Sequence, residues 1–151
     1  MNFKNWLLSE LDVSHMDTSG VELTGNAHGY KYSFQYNNRQ FNVKIVPYDT
    51  TYRGDDTVPD VYDISFTGAH GYSLTGLEGG AAAKVYSQVL LAVKKLFEIT
   101  TVNGLHFNPA NETMALMYWR FFKQYLQKNF SPVGNDVDLK KDYVRDAPKT
   151  A

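Results

Sequence analysis

The spacing of apolar residues changes once along this chain, and the change decides which folds are open to it. From Gly29 the period is two, with Tyr30, Tyr32, Phe34 and Tyr36 on one side and Lys31, Ser33 and Gln35 on the other. From Val85 it is close to 3.6, with Val85, Val89, Val93, Leu96 and Phe97 on one stripe. A half-buried strand returns its side chains to one face every two residues, and an amphipathic helix every 3.6. The chain must therefore bury a sheet face against helices, which makes it an α/β (α+β) domain.

The strands come first. Asn37-Asn38 tolerate left-handed turn conformations, and beyond them Phe41, Val43 and Ile45 alternate with Asn42 and Lys44, so residues 29–45 predict a β-hairpin. Residues 47–60 hold two prolines, Gly54 and Asp55-Asp56 without periodicity, and read as a loop with a solvated acidic pair. Val61 to Phe66 alternates again, residues 67–71 supply a turn, and Tyr72 to Leu74 returns as a short strand, completing an antiparallel meander. Upstream, Phe3, Trp6, Leu7 and Leu11 predict a short helix over 3–12, and Val21 to Leu23 a short strand.

Glycines at 76, 79 and 80 then give way to Ala81 to Ala83 and a helix of about five turns. Thr101 to Gly104 breaks it, Leu105-His106-Phe107 reads as a brief buried strand ended by Pro109, and Asn111 caps a second helix running to about Lys128. Met114, Met117, Phe121 and Tyr125 line one face of that helix. A β-α-β-α unit thus follows the meander in one domain, 1–130. Residues 131–151 are polar, with prolines near both ends and few aliphatics, and read as a loosely ordered C-terminal tail.

Composition narrows the function. At 151 residues and 43% hydrophobic the chain can bury roughly two-thirds of its unfolded surface in one core. Fifteen basic against 16 acidic residues leave a charge of −1, so no long-range field recruits nucleic acid or a membrane. The absence of cysteine excludes disulfides and thiolate metal sites, and fits a cytoplasmic setting. Neither a secretory leader nor an apolar run long enough to span a bilayer is read from the sequence. The aromatic content of 15% is attributed to cross-strand pairs in the sheet. His15, His28, His70 and His106 show no metal-ligand spacing, so no metal centre is expected, and His106 is read as a core or rim residue.

Chemistry concentrates in residues 72–85. A strand, a glycine turn and a helix start present free backbone N–H groups and a positive dipole end, which suits a pyrophosphate. Gly76, Gly79 and Gly80 permit close approach, and Ala81 to Ala83 keep the first helical turn uncluttered. The competing reading is a tight strand-to-helix turn and nothing more.

Over residues 60–128 the order and the residues resemble the GCN5-related N-acetyltransferases (GNAT), in which a strand, a glycine-rich pyrophosphate loop, a helix, a strand and another helix form the cofactor site. Gly76-Leu77-Glu78-Gly79-Gly80-Ala81 carries the second half of that family's loop pattern, with Gly76 where the family has Gln or Arg. Asn111 and Tyr118 match the spacing of the family's strand-end Asn and helical Tyr. The resemblance implies acetyl-CoA as cofactor, held by Leu74, Gly76, Gly79, Gly80, Ala81 and Asn111, and transfer of an acetyl group to an amine. It implies Tyr118 as the acid that protonates the thiolate; Glu78, or else Asp63 or His70, would serve as base. The plain alternatives are a core aromatic for Tyr118 and a dipole-favouring first-turn carboxylate for Glu78. Phe121-Phe122 replace the family's Gly-Phe, and residues 131–151 show no pattern for its last pair of strands.

The segment also resembles uncharacterised phage-encoded proteins, through Thr75-Gly76 and Met117-Tyr118. That likeness implies an accessory or virion-associated protein, cytoplasmic in a host cell or carried in the virion, using the scaffold for protein–protein interaction. A cleft lined by Tyr118 would favour the enzyme; a cleft filled by Tyr72, Leu77 or Phe107 would favour the interaction module. An amine substrate, a protein partner and a homo-oligomer are all compatible with the sequence.

Overall fold

A computed structural model of the chain describes residues 17–26, 28–36, 38–48, 58–67, 79–108, 112–133 and 142–146. The alternating segments form strands: β1 (Thr24–Asn26), β2 (Gly29–Tyr36), β3 (Arg39–Pro47) and β4 (Val61–Thr67), each antiparallel to the one before. The β2/β3 hairpin stands where the alternation places it, and Asn38 takes the left-handed conformation at its turn (φ 60). β1 lies just beyond the predicted Val21 to Leu23. Its Gly25 sits at φ 123, where an added Cβ would overlap the carbonyl oxygen of Gly29, so this turn requires glycine.

Helix α1 (Gly79–Ile99) follows, then β5 (Gly104–Phe107), helix α2 (Glu112–Phe121) and a π-helical turn (Phe122–Leu126), closed by a 2.8 Å bond from the Gln127 N–H to the Phe122 carbonyl. The wider turn fits one extra residue into the helix, which lets the adjacent Phe121 and Phe122 both be buried. The chain ends the described part with β6 (Phe130–Val133) and β7 (Asp142–Arg145). One seven-stranded sheet results, in the order β1-β2-β3-β4-β5-β7-β6.

Those last two strands correct the expectation of a loose tail. Residues 142–145 lie between β5 and β6, with Leu105 opposite Tyr143 and Gly104 opposite Val144, and both partners are fully or almost fully buried. Gly104 is needed for this fit, since a Cβ there would come within 2.9 Å of Val61 Cγ2 and 3.3 Å of the Tyr143 carbonyl oxygen. Arg145 fastens the end of β7, donating from Nε and Nη2 to the Val102 carbonyl (3.2 and 2.8 Å) with its guanidinium over the Phe130 ring.

Both helices pack on one face of the sheet. Register aligns Val43 with Phe66, Ile45 with Ile64, and Ile64 with Phe107 on that face, and Val85, Val89, Leu90, Val93 and Leu96 of α1 are fully buried against it. Removing such side chains from water contributes about 1.5–3 kcal/mol each. A row of rings crosses the strands beneath the helices, Phe34 to Phe41 at 5.4 Å and Phe41 to Phe66 at 5.7 Å, so the aromatic richness does serve cross-strand packing. The opposite face has a smaller apolar cluster, Val58, Val61 and Val144 with Tyr48 against it.

Candidate functional site

The junction of β4 and β5 is the parallel pairing among the described strands. It begins at Val61 opposite Gly104 and ends at Ile64 opposite Phe107, although β4 continues to Thr67 alongside β3. Asn108 terminates β5. Its backbone N–H donates to the Ile64 carbonyl (3.2 Å), and its side-chain amide donates to the same carbonyl (3.2 Å) and to Asp63 Oδ1 (2.7 Å). The carboxyl ends of adjacent parallel strands are where open α/β sheets commonly seat ligands. The two faces of this junction are chemically unlike.

On the helix side Phe107 stacks against Tyr118 of α2, with ring centroids 4.1 Å apart. Tyr118 has no exposed surface, and among the described residues its hydroxyl has no hydrogen-bond partner. Burial, and secondarily the neighbouring Tyr86, push its ionisation far above the ordinary tyrosine range. Such a phenol keeps its proton. Phe121 meets Phe107 edge-on at 6.5 Å and Tyr143 meets it at 5.8 Å, so the surroundings of Tyr118 are dry and aromatic. Phe107 therefore fills the space beside Tyr118.

On the other side His106, alternating with Leu105 and Phe107, projects among polar groups. Its Nδ1–H donates to Asp142 Oδ1 of β7 at 2.6 Å, and its Nε2 faces Asp63 Oδ1 of β4 at 3.8 Å. The latter distance exceeds a hydrogen bond, so it is a Coulombic contact when the ring is protonated. The Tyr48 ring stacks on the imidazole at 4.5 Å and 13°. His106 keeps 16% of its side-chain surface exposed, with Asp63 at 22% and Asp142 at 24%. The Asp142 bond fixes the tautomer, leaving Nε2 of the neutral ring with the lone pair that takes up a proton. Three strands supply this arrangement, Asp63 from β4, His106 from β5 and Asp142 from β7.

Of the residues singled out from the sequence, Tyr118 is placed in the core. Gly79, Gly80 and Ala81 form the first turn of α1, two residues before the predicted helix start, and so lie within the helix rather than in a loop ahead of it. The first backbone N–H groups of that helix have no intrahelical acceptor. Leu74, Gly76, Glu78, His70 and Asn111 lie outside the described residues, as do Tyr72, Leu77 and the predicted helix over 3–12. Asp63, considered as a base, is beside His106. The sequence signal that marks His106 is that it interrupts an otherwise apolar strand; Asp63 is one of the alternating polar positions of β4, on the face away from the helices.

Among the described residues no group of three or more His, Asp or Glu is placed to hold a metal ion, and no helix is long and apolar enough to cross a membrane. Compared with protein-family models, curated proteins and solved structures, the chain matches none of them.

Proposed function

We propose that the chain is an acetyl-CoA-binding, N-acetyltransferase-like protein in which proton handling falls to His106 and its carboxylates rather than to Tyr118. The observation that carries this reading is the histidine held between Asp142 and Asp63 at the parallel β4/β5 junction. The order β4, α1, β5, α2, followed by the paired β6 and β7, supports this reading.

The backbone N–H groups of Gly79, Gly80 and Ala81 at the start of α1 would hold the cofactor's pyrophosphate. Acetyl-CoA, when bound, supplies a thioester carbonyl open to attack by an amine. Asp63 would attract the acceptor as an ammonium ion, His106 Nε2 would take its proton as the new C–N bond replaces the thioester C–S bond and would return that proton to the departing thiolate, and Asp142 would hold the ring while the charge develops. Tyr118, sealed behind Phe107, supports α2 against the sheet.

Calorimetric titration with acetyl-CoA tests the cofactor, with Gly79→Glu as the variant that blocks a phosphate at the helix start. The expected result is micromolar binding that Gly79→Glu abolishes; no binding at millimolar acetyl-CoA would sink the reading. A second reading, a non-catalytic phage accessory or virion protein that uses the same scaffold for protein contacts, is favoured by one observation. Phe107 occupies the space next to Tyr118 that a catalytic cleft would use.

A further inference from the structure

The sheet face away from the helices carries a second chemical pattern around Asp63, beyond its contact with His106. On that face β3 and its end present Lys44, Val46 and Tyr48, and β4 presents Ser65, Asp63 and Val61. Register sets Lys44 opposite Ser65 and Val46 opposite Asp63, while the Tyr48 N–H donates to the Val61 carbonyl and His106 flanks Asp63 from β5. Neighbouring strands lie about 4.8 Å apart, and every second residue along a strand advances about 6.6 Å. Asp63 therefore has Val46 beside it, with Lys44 on one diagonal and Tyr48 on the other.

Each of these neighbours calls for a different group. Asp63 Oδ1 accepts from the Asn108 amide at 2.7 Å and stands 3.8 Å from His106 Nε2. Two acceptors thus converge, which suits a group with two or more N–H donors. Lys44 is exposed and directly opposite Lys31 of β2, and among the described residues neither lysine pairs with a carboxylate. Like charges opposed across a strand pair repel each other, so an anion is the group this end favours. Val46 is 39% exposed, and the half-buried Tyr48, stacked on His106 and packed on the apolar cluster of Val61, stands next to it. That end favours an apolar group.

We infer that Asp63, Lys44 and Val46 are three contact points of one ligand, an α-amino acid with an apolar side chain. Its ammonium donates to Asp63 and to the neutral His106 Nε2, its carboxylate pairs with the Lys44 ammonium, and its side chain lies on Val46 against the edge of Tyr48. The flexible four-carbon stem of Lys44 lets its charge reach a carboxylate held beside Asp63 from a diagonal position. A diamine fits worse, because its second cation meets Lys44. A fatty acid fits worse too, because it brings no donor to the two acceptors. The inference rests on the acetyl-transfer reading only in making this amino acid the acceptor; as a binding site it stands on the arrangement of charges.

Calorimetric titration of the full chain with L-leucine, without acetyl-CoA, is the test. Three probes each lack one of leucine's groups: isoamylamine the carboxylate, isocaproate the ammonium, and glycine the side chain. Leucine is expected to bind, and each of the three to bind weaker by about tenfold or more. Lys44→Gln, an exposed substitution that spares the core, should weaken leucine by about tenfold and leave isoamylamine unchanged. Asp63→Asn should weaken leucine and leave isocaproate unchanged. Equal affinity for leucine and isoamylamine, leucine binding indifferent to Lys44→Gln, or no binding of leucine at millimolar concentration would overturn the assignment. A parallel titration with acetyl-CoA separates the two readings. Acetyl-CoA bound without leucine sinks the amino-acid site and leaves the transferase; leucine bound by a chain that takes no acetyl-CoA keeps the site and sinks the transferase.

Discussion

Phe107 and His106 are neighbours in one short strand, and the sheet sends them into opposite environments. Phe107 enters a dry stack with Tyr118, Tyr143 and Phe121, where every contact is dispersion and apolar burial. His106 enters a partly wetted cluster in which each ring nitrogen faces a carboxylate. The contrast separates two properties that a motif spacing merges. The tyrosine with the catalytic-looking spacing belongs to the side that holds the fold together, while the side able to move a proton is built around a residue that no motif marks.

The sharpest way to break that comparison is Phe107→Ala. It opens the centre of the dry stack and should cost about 3–5 kcal/mol in urea unfolding; a loss below about 1 kcal/mol would show that the stack is not structural. Alkali should act on the same side. Tyr118 and Tyr143 are raised well above 10.0 in the fold by burial, whereas both ionise near 10.0 once unfolded. Their contribution is therefore complete below pH 10 and declines above it, by about 1.4 kcal/mol per pH unit for each ring. Denaturant midpoints measured between neutral pH and strong alkali check this, and a flat profile above pH 10 would contradict it.

On the wet side the stability effects are smaller and the chemical ones larger. His106→Gln should cost about 1–2 kcal/mol for the lost bond to Asp142. The proposed acetyl transfer to an amine, once an acceptor is identified, should fall by about 10²–10⁴-fold. The smallest effect belongs to Tyr118→Phe, which deletes only a buried hydroxyl with no partner among the described residues. Stability should stay within about 1 kcal/mol of wild type or rise, and any acetyl transfer should be unchanged. A drop of 10²-fold or more with intact stability would return the acid role to Tyr118.

How much of this could be read beforehand follows from where each partner lies in the chain. The β2/β3 hairpin and the stripe of α1 were legible because each is long, strongly periodic and held by local contacts. β6 and β7 were not, because four residues each, Pro132 among them, show no period, and what buries Tyr143 is β5 and the π-helical turn, where Phe122 stacks on it at 4.9 Å. His106 was dismissed for a similar reason. Asp63 and Asp142 lie far from it on either side in sequence, and only the parallel pairing of β4 with β5 and the insertion of β7 bring them to its ring. Tyr118 was legible twice, once as a family match and once as part of an apolar helix face. The second description is the one its burial matches.

The placement of β7 has a consequence for how the chain is made. Gly104 finds its strand partner at Val144, about forty residues later, and β7 is the last described element to leave the ribosome. Until it does, a nascent chain carries β5 with one bare edge and Phe107 and Phe122 without their lid, the condition in which chains pair with the wrong neighbour. Closure of the sheet thus waits for residue 142, and any pause or premature stop before it should produce a species that chaperones hold, or that clumps.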